Sequence, residues 1–202
     1  MKISYILSRK ISNHMNREKE ISNKELSIYQ YCLELFFDQI IFSSSLLFLG
    51  FLLHKFIFAL YFVLFFIPLK MCAGGFHMNS RSLCSFTSYF IFFVTIYLPN
   101  HLSSLPFFIL TFFFELASLG IILLSPVEHP AKPFSSSQRI YLKVSTCVLL
   151  LIMNIIYYFL YVLSKKIFLV TLFLYVIIIL INQIIGMINN YISRKRRFGH
   201  VS

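Results

Sequence analysis

Two residues in this chain of 202 have the types and the spacing for nucleophilic chemistry: His77, which titrates near neutral pH, and Cys84, seven positions on. They belong to the segment Lys70-Met71-Cys72-Ala73-Gly74-Gly75-Phe76-His77-Met78-Asn79-Ser80-Arg81-Ser82-Leu83-Cys84, which joins two apolar runs. A thiol beside an imidazole base is a minimal set for attack on a carbonyl carbon. On one continuous α-helix, positions 77 and 84 would share a face but stand ~10 Å apart along the axis, too far for proton transfer. A turn around residues 79–82 must therefore fold the imidazole back. Ser82 is then the expected N-cap of the next helix, with Cys84 in its first turn. There the positive helix end, with His77 and Arg81, favours a thiolate. Gly74-Gly75 allows a backbone turn closed to residues with a β-carbon. Spacing alone is a weak signal, because a lone Cys near a lone His in a membrane loop is more often incidental than catalytic.

The elements that position this segment are membrane elements. Hydrophobic residues make up 58% of the chain and charged ones 12%, with a mean hydropathy of +0.80; soluble domains average about 25% charged. No water-soluble fold of this length can bury so much Phe, Leu and Ile. Apolar runs at 40–53, 56–69, 83–98, 107–124, 144–163 and 167–185 predict an all-α polytopic membrane protein of about six transmembrane helices. The first two runs are short, and flanking residues or a thinned bilayer must make up the length. Residues 1–39 mix charge with helically spaced Ile3, Ile6, Leu7 and Ile11, then Leu26, Tyr29, Leu33 and Phe36/Phe37, predicting interfacial amphipathic helices. Ser22 and Glu25 fit a capping box for the second of them. The expected organisation is 1–39 amphipathic, 40–187 transmembrane, and 188–202 a basic tail.

Charge sets the expected orientation. With six crossings and an inner N-terminus, fifteen of the eighteen Lys and Arg face inward and only Lys55, Lys165 and Lys166 face out. The net charge of +11 thus serves orientation and contact with anionic lipid, and no nucleic-acid-binding motif accompanies it. No metal-ligand cluster and no phosphate-binding glycine loop appear, so neither a metal nor a cofactor is expected. Cys32, Cys72 and Cys147 read as small apolar fillers, and no cleavable signal peptide precedes the first segment.

The run Ala73-Gly74-Gly75-Phe76-His77 followed by Cys84 resembles the signature of the accessory gene regulator B family, bacterial membrane endopeptidases that process quorum-sensing peptides. Ser125-Pro126-Val127-Glu128-His129-Pro130-Ala131-Lys132-Pro133 is similar to that family's Pro, acidic, Lys-Pro pattern in the next loop. Lys70 stands where the family usually has arginine, and His129 with Ala131 replaces the more common polar or basic neighbours. The resemblance covers most of the chain. It implies a cysteine endopeptidase with His77 as base and Cys84 as nucleophile, facing the cytoplasm at the cell membrane. The implied substrate is a short autoinducer precursor peptide with an amphipathic leader, a central Cys or Ser, and an acidic C-terminal tail. A thioester acyl-enzyme would then close a thiolactone or lactone ring.

Other polar residues are candidates to support such a site. Glu34, Asp38 and Gln39, at the inner end of the first run, could orient His77 or bind an oxyanion. Glu115 is an intramembrane carboxylate, a functional candidate or a hydrogen-bonded structural one. Lys132, with Arg139 and Lys143, could attract an acidic tail or simply hold its loop inside. Asn154, Asn182 and Gln183 are expected to hydrogen-bond between helices. The N-terminal region could receive the precursor's leader or make a homodimer contact. The competing reading is a non-enzymatic scaffold or exporter of a peptide signal. A transporter would show paired halves or broken helices, which this chain does not.

Overall fold

The computed structural model describes residues 2–18, 22–76, 81–128 and 134–199. Seven helices run through them: α1 (Lys2–Glu18), α2 (Asn23–Leu52), α3 (Phe56–Ala73), α4 (Arg81–Leu102), α5 (Phe107–Leu124), α6 (Ser136–Val162) and α7 (Lys166–Gly199). Helices α2 to α7 are each long and apolar enough to cross a bilayer. This is a multi-pass membrane protein of the all-α class, because in lipid a helix satisfies its own backbone. The chain divides into two compact units, Met1–Phe56 and Ile57–Ser202.

In the first unit, α1 packs on α2. Ser22 accepts from the Glu25 N–H while the Glu25 carboxylate takes the Ser22 N–H, the capping box that starts α2. That helix then runs unbroken for 30 residues. The second amphipathic stretch and the first apolar run are thus one element, which supplies the length that 40–53 lacks. On α1 the packed face is not the apolar one. Ser4, Ser8 and Ser12, four residues apart, are fully buried, whereas Ile6 is 61% exposed and Leu7 and Ile11 are also outside. Small residues at this spacing let two helices approach closely. Ile6 and Ile11 face outward, as an interfacial helix requires.

In the second unit, α7 is the central post. Half of its most apolar window is buried, against 28% for each of α3 to α6. Leu110 of α5 packs with Val170 and Leu174 of α7. Phe62 and Phe66 of α3 meet Phe92 of α4 and Tyr175 of α7 in an aromatic cluster, with centroids 4.5 to 5.8 Å apart. Within α3, residues Phe62–Phe66 form a π turn closed by the Ile67 N–H on the Phe62 carbonyl. Pro68 has no N–H to donate one turn back, so the helix widens just before it.

Three of the helix ends that differ from the sequence expectation have a local cause. α4 continues through Pro99 to Leu102, because a proline within the last turn costs one hydrogen bond that the neighbouring turn replaces, with Ser103 N–H on the Pro99 carbonyl. α6 starts at Ser136 instead of 144, since Ser135 and Gln138 form a second capping box. α4 starts at Arg81, which puts Ser82 inside the first turn and not at the N-cap. The tight connection after α6 uses Ser164 in the left-handed region (φ 56°), with Lys165 N–H on the Leu160 carbonyl at 3.0 Å.

Candidate functional site

The site is built where α3 ends. Gly74 (φ 72°) and Gly75 (φ 134°) both occupy conformations that favour glycine, and they turn the chain out of the helix into an extended stretch. Space demands glycine as strongly as dihedrals do. A β-carbon on Gly74 would collide with the Val127 carbonyl oxygen, and one on Gly75 with the side-chain amide of Asn182.

Two loops meet here on one face of α7. Gly74 bridges Val127 in parallel, and the Val127 N–H donates to the Ala73 carbonyl at 3.0 Å. The Phe76 N–H donates to the Asn182 carbonyl at 3.1 Å. Gln183, fully buried, donates from Nε2 to the Ala73 carbonyl (2.9 Å) and to Ser125 Oγ (3.1 Å), tying the end of α3 to the start of the second loop. One helical turn further, Gly186 lies flat under Gly75 and Phe76. One turn beyond that, Asn190 Nδ2 donates to the Glu128 carbonyl at 2.6 Å. Glu128 in turn accepts from Arg139 Nε at 2.8 Å. Asn182, Gly186 and Asn190 are thus a stripe at four-residue spacing that seats both loops.

Cys84 stands over this seat, half-buried in the first turn of α4. It lines a cavity of about 50 Å³ with Lys70, Phe76, Thr87, Ile91 and Asn182. The Lys70 ammonium reaches over the Phe66 ring, 6.0 Å from its centroid. Thr87 Oγ1 donates to the Leu83 carbonyl at 2.8 Å. The arrangement offers a thiol, a cation and an amide around one small opening at the end of the membrane helices.

The structure therefore brings together Cys84, Lys70 and Gly75. His77 and Lys132 lie outside the described residues. Glu34, Asp38 and Gln39 are on α2 in the first unit, where Gln39 Nε2 donates to Ser43 Oγ at 3.2 Å. Glu115 is away from the cavity; it accepts a hydrogen bond from Tyr158 of α6 at 2.9 Å. Arg139 is paired with Glu128. Asn154 donates to Leu150 in its own helix, not across to another. Of the residues expected to join helices, Gln183 does so, from α7 to Ala73 at the end of α3, and it also reaches Ser125 in the second loop. Asn182 instead receives the Phe76 N–H on its backbone carbonyl, and Gly186 and Asn190 act beside them. Their four-residue spacing in an otherwise apolar helix was the available signal.

The profile of a known family, accessory gene regulator B, matches residues 8–192. No curated protein and no solved structure matches the chain.

Proposed function

The chain belongs to the accessory gene regulator B family, whose part is in the processing of a quorum-sensing peptide, and from that premise we propose that it is a cysteine endopeptidase acting through Cys84. The observation that carries this reading is the Cys84 thiol in the first turn of α4, opening on a cavity shared with Lys70 and Asn182. His77 takes the thiol proton, and the thiolate attacks a peptide carbonyl of a short autoinducer precursor. The C-terminal tail leaves and a thioester remains on Cys84. The precursor's own thiol or hydroxyl, held near that thioester, displaces the enzyme and closes a ring, with a large effective-concentration advantage over water. The exposed apolar face of α1, carrying Ile6, Leu7 and Ile11, suits the amphipathic leader or the lipid interface. The test uses the purified protein in liposomes with its precursor peptide. Released tail and a precursor-derived acyl adduct on Cys84, both seen by mass spectrometry, are expected. Tail release with the adduct on no cysteine would sink the thioester route.

The active site and both termini face the cytoplasm in this reading, supported by the fifteen-to-three division of basic residues. Reporter domains fused after Lys55 and Lys165 should report outside, and one after Gln138 should report inside. An external Gln138 would overturn the orientation.

Lys132 draws in the acidic tail. With Arg139 already paired to Glu128, Lys132 in that loop and Lys143 on α6 carry the attraction. Lys132→Glu should raise KM for the precursor by roughly threefold to tenfold, less so at high salt, with kcat nearly unchanged. A KM unchanged at low salt would leave Lys132 a purely topological charge.

A further inference from the structure

Two of the polar groups on the wall of the Cys84 cavity are already paired. Thr87 Oγ1 donates its hydrogen to the Leu83 carbonyl, and the Phe76 N–H donates to the Asn182 carbonyl. Ile91 and the Phe76 ring are apolar. Lys70 and the side-chain amide of Asn182 are left, and among the described residues that amide has no hydrogen-bond partner. Half-buried and lining the cavity, that amide can donate to whatever enters it. Its placement is also enforced. Gly75 has no β-carbon, and any there would drive into Asn182 Nδ2. The backbone of Asn182 is fixed twice over, by α7 and by the Phe76 N–H.

We propose that Asn182 is a catalytic residue whose side-chain N–H donates to the carbonyl oxygen of the bond that Cys84 attacks. This rests on the peptidase reading above and adds to it the group that carries the transition-state charge. The Cys84 thiolate forms a bond to the carbonyl carbon, and the carbonyl π pair moves onto oxygen. That oxygen, now anionic, accepts from Asn182 Nδ2, with the Lys70 ammonium nearby. As the pair returns, the carbon–nitrogen bond breaks, and the departing amine takes the proton that the base removed from the thiol. A thioester and a free tail result, with nothing oxidised or reduced. A donor preset for the oxyanion acts on the transition state far more than on the bound substrate.

The experiment compares wild type, Asn182→Asp, Asn182→Ala and Cys84→Ala, each as the full chain in liposomes. Tail release gives kcat and KM, and mass spectrometry follows the rate of iodoacetamide alkylation at Cys84. Alkylation needs the thiol but no oxyanion at a carbonyl. Asn182→Asp keeps the shape and loses the donor, so both Asn182 variants should lose ~10²–10³-fold in kcat. KM should stay within about threefold, and Cys84 in Asn182→Ala, which adds no charge beside the thiol, should alkylate at the wild-type rate. A kcat within about threefold of wild type in either variant would overturn the proposal. So would a matching loss of alkylation in both, since Asn182 would then merely hold the fold. Activity surviving in Cys84→Ala would instead defeat the peptidase reading itself.

Discussion

Cys84→Ala should reduce release of the precursor's tail to background, a fall of at least ~10³-fold, and His77→Ala should do the same. The reason is chemical. A peptide bond needs a strong nucleophile, and of the side chains lining the Cys84 cavity only a thiolate is one at neutral pH. Removing either the sulfur or the base removes that species, so the two losses should not add. The structural cost is small by comparison. Cys84 is half-buried beside an open cavity, so alanine there removes one sulfur atom from a loosely packed wall, worth about 1 kcal/mol or less. Membrane abundance should therefore match wild type. Cys84→Ser should be nearly as inactive, because a hydroxyl is far less acidic than a thiol. Cys32→Ala, Cys72→Ala and Cys147→Ala, all free thiols elsewhere, should keep activity and so separate chemistry from packing. If Cys84→Ala in liposomes still released the tail at the wild-type rate, the cysteine would have no chemical role.

What could be read from the residues alone divides along physical lines. Apolar run length predicts the six spans because the bilayer imposes one thickness on all of them. The Gly74-Gly75 turn was legible because positive φ is nearly reserved for glycine. Cys84 in the first turn of α4 follows from the polar loop before it, although the helix begins two residues earlier than a Ser82 cap requires. Helix ends were less legible. The cap at Ser135 was hidden because polar residues 136–143 read as loop, while in the fold they form the first turns of α6. On α1, hydrophobic periodicity finds the exposed face, and the buried serine face carries no hydropathy signal at all. The seat on α7 is a matter of long-range contact. Nothing local to Asn182 or Gln183 says that residues 73–76 and 125–128, more than fifty positions away, will land on them.

Gly186→Ala should lower tail release by about 10²-fold although alanine is the better helix former by roughly 1 kcal/mol. The two effects oppose each other, and geometry decides which wins. A β-carbon on Gly186 would stand 2.7 Å from the Gly75 carbonyl carbon and from the Phe76 nitrogen. Those are backbone atoms, anchored by the Phe76 N–H on the Asn182 carbonyl and by the bridge from Gly74 to Val127. They cannot rotate aside as a side chain can. Relief requires the 75–76 stretch to lift from α7, carrying with it the wall of the Cys84 cavity and the entry to His77. A shift of about 1 Å at a catalytic centre suffices for a loss of this size. Gly120→Ala is the matched control. Its β-carbon would meet only the flexible tip of Leu180, at 3.0 Å, so that variant should fold, insert and cleave at close to the wild-type rate. Both substitutions place the same methyl group in a membrane helix, so a difference in helix stability cannot account for a difference in turnover. Gly186→Ala cleaving at the same rate as Gly120→Ala would show that the contact between the two loops and α7 does not position the site.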